Sequence, residues 1–193
     1  MKTLASSYRF WINAAKKQAQ NRTMSILRRS FLLGGASALS GCAAFFNRFS
    51  EPDLTGLQAS RLTVYKADRI MLLEADGAVV KTYKIALGFA PEGPKQFYGD
   101  GRTPEGLYRI NRRNPRSAFH LSLGVSYPSE EERERAFALG VDPGGDIFIH
   151  GRPNSATEYP VGDWTHGCIA VRNSEIEELW QITPLGCPIQ IEP

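Results

Sequence analysis

The sequence predicts a mainly β domain, a sandwich or barrel of mixed strands with one or two short helices. Short runs of β-branched and aromatic residues recur along residues 61–193. Glycine and proline separate them, and only two segments carry helix-start signals. Many short strands between turn residues close into sandwiches or barrels, because each strand buries only one face.

The elements follow in order from Arg61. Leu62–Tyr65 and Ile70–Leu73 flank a polar break, as in a hairpin. Asp76-Gly77 is a turn signal, and Val79 to Leu87 reads as the next strand. Residues 88–106 contain eight glycines and prolines and read as loop. Strand character resumes at Leu107–Ile110 and Phe119–Val125. Ser129 with Glu132 forms a capping-box pattern, and Gly140 closes the predicted helix. A second helix is predicted from Asn173 or Ser174, with Ile176, Leu179 and Trp180 on its apolar face. Ile147–Ile149 and Ile189–Ile191 complete the strands.

Ahead of this domain, residues 43–60 read as a tether and residues 1–42 as an export signal. Arg28-Arg29 precede Ser30-Phe31-Leu32-Leu33, and small residues follow to Gly41. That is a twin-arginine pattern, with an apolar run about half of the roughly 20 residues a membrane span needs. Met24 offers an internal start that would leave a compact signal. Leu39-Ser40-Gly41-Cys42 resembles a bacterial lipobox, in which Cys42 is acylated and anchors the chain to a membrane. The bland alternative is ordinary signal cleavage and a soluble periplasmic product. Ala43 follows the cysteine in place of the aspartate tied to inner-membrane retention in enteric bacteria, which favours the outer membrane.

Charge agrees with this division. The chain of 193 residues carries a net +3. Residues 1–42 hold seven bases and no acid, whereas residues 43–193 hold sixteen bases against twenty acids. The basic excess belongs to the signal, which argues against a nucleic-acid partner. Oligomeric state is not legible.

The chemistry concentrates near the end. Trp164-Thr165-His166-Gly167-Cys168 places a cysteine after histidine and glycine, and His150-Gly151 ends a strand upstream. A strand end presents a side chain rigidly, and residues 152–164 are long enough to bring His150 back to Cys168. A nearby imidazolium would lower a thiol's pKa, and backbone N–H groups around Gly167 could receive an oxyanion. Glycine there would also leave room for an acyl group. The alternatives are an inert core thiol, or a zinc site of His150, His166 and Cys168. No metal or other cofactor is expected, because His-x-Cys is not a usual chelating pair and no further Cys/His cluster occurs. His120 reads as a strand residue, Tyr127 and Trp164 as packing residues, and Cys187 as a small packed thiol without a disulfide.

His150-Gly151 followed by Thr165-His166-Gly167-Cys168 resembles the signature of the L,D-transpeptidase catalytic domain, the YkuD family. Residues 99–106 (Gly-Asp-Gly-Arg-Thr-Pro-Glu-Gly) and Pro184-Leu185-Gly186 fit the same pattern. The resemblance covers about residues 60–192. It implies a YkuD-like fold, Cys168 as nucleophile, His150 as general base, and His166 and Gly167 shaping the site. Gly151, Thr165, Arg172 and Arg102 are the candidate substrate contacts. The implied substrate is a peptidoglycan stem tetrapeptide. Attack before its terminal D-alanine would leave a thioester, and a neighbouring stem's amine would resolve it into a 3→3 cross-link. Carbapenems would be expected to acylate the same cysteine.

The family commonly has arginine two places after the cysteine, where this chain has Ala170; Arg172 lies two further on. That puts the acyl acceptor in question. A carboxypeptidase or cross-link hydrolase, with water as acceptor, stays open, as does a non-catalytic wall-binding lipoprotein.

Overall fold

The computed structural model describes residues 52–193. The twin-arginine pair, the lipobox with Cys42 and the first part of the tether lie outside the described residues.

Eight strands form one curled sheet: β1 (Arg61–Tyr65), β2 (Ile70–Ala75), β3 (Ala78–Lys84), β4 (Gly106–Ser117), β5 (His120–Val125), β6 (Phe148–His150), β7 (Ile169–Ala170) and β8 (Pro188–Glu192). Their spatial order is β3-β2-β1-β8-β4-β5-β6-β7. The pairs β1–β8 and β6–β7 are parallel; the rest are antiparallel. Past Lys84 the chain leaves the β3 ladder, and Ala86 bridges Ala170 across the far edge. Two hydrogen bonds of 2.9 and 2.8 Å seal this seam. The sheet is a half-barrel whose edges touch beside β7, so no long open edge remains there. The predicted mainly β fold stands.

Alternation builds the core. Leu62 and Val64, Met71 and Leu73, and Ile189 and Ile191 are buried at every second position of their strands. Helix α1 (Glu130–Ala138) starts as predicted: Ser129 Oγ accepts from Glu132 N–H, and the Glu132 carboxylate accepts from Ser129 N–H. It buries only Ala136, so it lies on the surface. Helix α2 (Asn173–Ile182) buries Ile176, Leu179 and Ile182, a stripe at helical spacing that covers the core.

Three elements depart from expectation. The ladder of β3 stops at Lys84 rather than Leu87, because residues 85–88 turn to the seam. Strand β4 runs on to Ser117, past Ile110. Its outer half carries arginines and Pro115, which hid it; the register shifts between Asn114 and Ser117 absorb the missing proline N–H. The tether ends earlier than Arg61: Ala59 is buried and its N–H donates to Ile182 O at 2.8 Å, while Leu54 packs on the core.

Candidate active site

Strands β6 and β7 run parallel with His150 opposite Ala170 and Ile149 opposite Ile169. One further step of this register sets Cys168 beside Phe148. Alternation then puts His150, Ala170, Phe148 and Cys168 on one face and the buried isoleucines on the other. His150 and Cys168 are one strand across and two residues along. That separates their Cα atoms by about 8 Å, a span that an imidazole and a thiol reaching toward each other cover. The crossover of residues 151–168 returns the chain to the neighbouring strand, so the two residues lie on adjacent strands.

His150 is 3% exposed. Its ring lies 4.6 Å from the Phe119 ring and 5.6 Å from the Trp164 ring, centroid to centroid. Nδ1 is 2.6 Å from the Gly151 carbonyl oxygen. A carbonyl only accepts, so Nδ1 carries the hydrogen and Nε2 keeps its lone pair. Burial pushes the imidazole below its ordinary pKa of 6.5, against the Gly151 hydrogen bond that raises it. Burial thus favours the neutral imidazole, the form in which Nε2 can accept a proton.

Cys168 is partly exposed. Its Sγ donates to the Asp146 carbonyl oxygen at 3.4 Å. Burial of the sulfur is the largest influence and raises the thiol above its ordinary value; the Phe148 N–H, Lys95 and Arg112 pull the other way. The sequence suggested a thiol lowered by an imidazolium. The structure reverses that: each group's surroundings favour its neutral form, because both are more costly to charge when removed from water.

Thr165 folds the turn before the nucleophile. Its Oγ1 accepts from Gly167 N–H at 3.1 Å and donates to Cys168 O at 2.8 Å. Thr165 is buried, so it shapes the loop from below. The Gly167 N–H, one of the anticipated oxyanion donors, is thereby engaged. Gly167 has φ +123°, and a Cβ there would stand 2.6 Å from the Arg102 carbonyl oxygen. Glycine is required for this close backbone approach, a different reason from the space for an acyl group that the sequence suggested.

The loop around Arg102 is a brace. The Asp100 carboxylate accepts from the N–H groups of Gln96, Phe97 and Arg102, and from Lys95 Nζ at 2.8 Å. Burial raises its pKa, but these hydrogen bonds outweigh it and hold the carboxyl below 3.8. Arg102 itself reaches toward Pro94 O at 3.5 Å. On the other side, Leu87 O accepts from Thr165 N–H, and Phe89 N–H donates to Thr165 O.

The remaining candidates lie apart. His166 is exposed, with its ring edge-on to Phe89 at 5.4 Å, so it stands at the rim. Gly151 N–H donates to Phe119 O, which anchors the end of β6. Arg172 is exposed at the N-cap of α2, its N–H donating to the Glu175 carboxylate. His120 Nε2 meets Glu177 at 2.6 Å and joins β5 to α2. Cys187 is a buried free thiol, and Cys168 is also free. Among the described residues, no three of His, Cys, Asp or Glu group in a way that could hold a metal ion. Sequence reading missed Asp146, Lys95 and Phe119. Gly144-Gly145-Asp146 just before β6 was the available signal for the first.

A curled, half-barrel mixed sheet with two covering or surface helices, carrying a strand-end histidine on β6 and a cysteine just before β7, defines the class of fold. The family profile of the L,D-transpeptidase catalytic domain (YkuD) matches residues 59–191, and the chain belongs to that family. YafK of Escherichia coli strain K12, classed by name with the L,D-transpeptidases, is 29% identical over 105 residues, which are 53% of this chain and 37% of YafK. The chain thus spans well under half the length of the curated relatives it matches. Among solved structures, the helical cell shape determining protein Pgp2 from Campylobacter jejuni has TM-score 0.56 and 26% identity, over 69% of this chain and 47% of that one. Bd1075 of Bdellovibrio bacteriovorus shares the fold, with TM-score 0.51 and 24% identity over 72% of this chain and 50% of that one.

Proposed function

We propose that this protein is an exported cysteine L,D-transpeptidase that forms 3→3 cross-links in peptidoglycan. The observation that carries the reading is the register of β6 on β7. Continuing that register by one step supports a partly open Cys168 near a histidine whose Nδ1–H is tied to Gly151 O, leaving Nε2 as acceptor.

In this reading the thiol gives its proton to His150 Nε2 as Sγ attacks the carbonyl of the third stem residue. The tetrahedral oxyanion is received by the backbone N–H of Cys168, helped by that of His166; each such donor is worth roughly 3 kcal/mol in the transition state. His150 returns the proton to the departing amine, D-alanine leaves, and a thioester remains. An amine of a neighbouring stem attacks the thioester, His150 takes its proton, and the sulfur leaves and is reprotonated. Because both partners rest neutral, the charge pair forms only as the reaction proceeds. Export by the twin-arginine signal and acylation of Cys42 would hold the domain beside its substrate in the periplasm, on the outer membrane.

Incubation with disaccharide-tetrapeptide tests the reading. It predicts released D-alanine, an acyl-enzyme mass on Cys168 and cross-linked dimers. An unmodified thiol after exposure to both substrate and a carbapenem would refute it.

A second reading keeps the thioester but makes water the acceptor, giving a carboxypeptidase or cross-link hydrolase. Ala170 favours it: this residue is 1% exposed and sealed against Ala86, so its methyl group offers an incoming stem no charged contact. Trimmed monomers without dimers would decide for hydrolysis.

A further inference from the structure

Behind the seam that carries β7 lies a recess of about 380 Å³. Its floor is apolar: Ile85, Ala86 and Ala170. Arg69 and Lys84 stand on one side and Arg172 on the other, with Tyr159 to Asp163 as a wall. The Tyr159 hydroxyl donates to Val171 O and pins that wall to the chain leaving β7.

The charges are unbalanced. Arg69 is used: Nε and Nη2 reach Asp163 Oδ2 at 3.0 and 2.8 Å, and Nη1 reaches Lys66 O. Asp163 is used as well, since its other oxygen accepts from Leu87 N–H at 2.9 Å. Lys84 and Arg172 have no ion pair among the described residues. Two unmatched cations therefore border an apolar floor. A carboxylate takes both, the guanidinium through paired N–H donors and the ammonium as a point charge. Glu175, near Tyr159, accepts from Arg172 N–H, and Asp163 is already paired, so neither acid among the recess neighbours is left for an ammonium.

Position ties the recess to the nucleophile. Ala170 is two residues past Cys168 on the same side of the strand, so the floor lies about 7 Å from the cysteine Cα. An extended peptide covers that in about two residues. Alanine at 170 keeps the recess open; a longer side chain would project into the space.

Resting on the proposed function, we infer that this recess is a subsite for the C-terminal carboxylate of a small apolar residue: the end of the donor peptide that departs from the thioester. Lys84 and Arg172 hold the carboxylate, and the partly open Ala86, backed by buried Ile85 and Ala170, receives the methyl group. The ion-paired Arg69–Asp163 couple fixes the wall and disfavours a free amino group.

The test is a binding titration on the full chain carrying Cys168→Ala, read from amide resonances of the recess residues. The probes are N-acetyl-D-alanine, its C-terminal amide and free D-alanine. N-acetyl-D-alanine is expected to bind at least tenfold more tightly than either of the others. Lys84→Gln and Arg172→Gln, both at exposed positions, should each weaken it about tenfold, and Lys84→Arg should restore it. Equal binding of acid and amide, tighter binding of free D-alanine, or indifference to both charge-removing variants would overturn the subsite. The assay needs no turnover. Carboxylate binding that depends on Lys84, without any acyl-enzyme on the unmodified thiol, would sink the proposed function and keep the subsite; the converse would sink the subsite alone.

Discussion

The chain uses the same dipeptide twice, at Gly167-Cys168 and Gly186-Cys187, and each pair enters a strand, β7 or β8. Both glycines have positive φ, +123° and +86°. Burial raises both thiols, Cys187 to about 11. Their surroundings differ. The Cys187 thiol donates to the carbonyl oxygens of Ala59 and Pro188, at 3.7 and 3.6 Å, and the residue is 3% exposed. Cys168 is partly open, lies one residue before the strand that pairs with His150, and has Lys95 and Arg112 pulling toward its anion against the larger effect of burial. A buried thiol is inert by default. In the proposed chemistry, reactivity needs an opening and a base, and the base would come from a neighbouring strand rather than from the local sequence.

The largest expected effect separates the two cysteines outright. Cys168→Ala should abolish acyl-enzyme formation, seen by intact mass. Cys187→Ala should keep it, at a stability cost of about 1–2 kcal/mol from the lost packing. Loss of acylation in both proteins would erase the contrast.

Next comes the base. His150→Gln should slow acylation at pH 7 by about 10²–10⁴-fold, the usual weight of general-base catalysis, with little change in KM. A fall confined to KM would make His150 a binding residue.

The glycines should differ as well. Gly167→Ala meets the Arg102 carbonyl and a backbone angle that disfavours side chains, for about 2–4 kcal/mol in chemical denaturation. Gly186 has open space around it, so Gly186→Ala should cost only about 1 kcal/mol from φ alone. Equal costs would mean that the Arg102 contact does not constrain the loop.

The smallest effect concerns the brace that serves Cys168 alone. The Asp100 carboxyl titrates below 3.8 in the fold, whereas the unfolded chain has the ordinary value. A depressed pKa contributes stability that is present above about pH 4 and lost as pH falls through the folded value. Amide exchange in residues 95–103 should therefore quicken below pH 4, while that around Cys187 stays level. Asp100→Asn should remove this pH dependence.

Much of the fold was legible because its signals are local. Alternation marked β1, β2 and β8, and the Ser129–Glu132 box marked α1. Strand β4 was cut short because its outer half is arginine-rich, and that half pairs with β5 alone, which leaves its other side free to carry charge. The two-residue β7 is too brief to show a period at all. At the site, Cys168 and His150 stood out by residue type and spacing. The brace around Asp100 did not, because its hydrogen bonds go mostly to backbone groups. The direction of the thiol's pKa could not be read either, since it depends mainly on how deeply the folded chain buries the sulfur.

The central claim is that a protonated Cys168 must hand its proton to a neutral His150 during acylation. The direct measurement is the rate of thioester formation on Cys168 against pH, by rapid-quench intact mass, in the unaltered chain and in His150→Gln. The account predicts a rate that holds down through pH 6.5, then falls along an acid limb that His150→Gln abolishes. An identical limb in both proteins, or a rate in the unaltered chain that climbs only as the thiol ionises above pH 9, would contradict it.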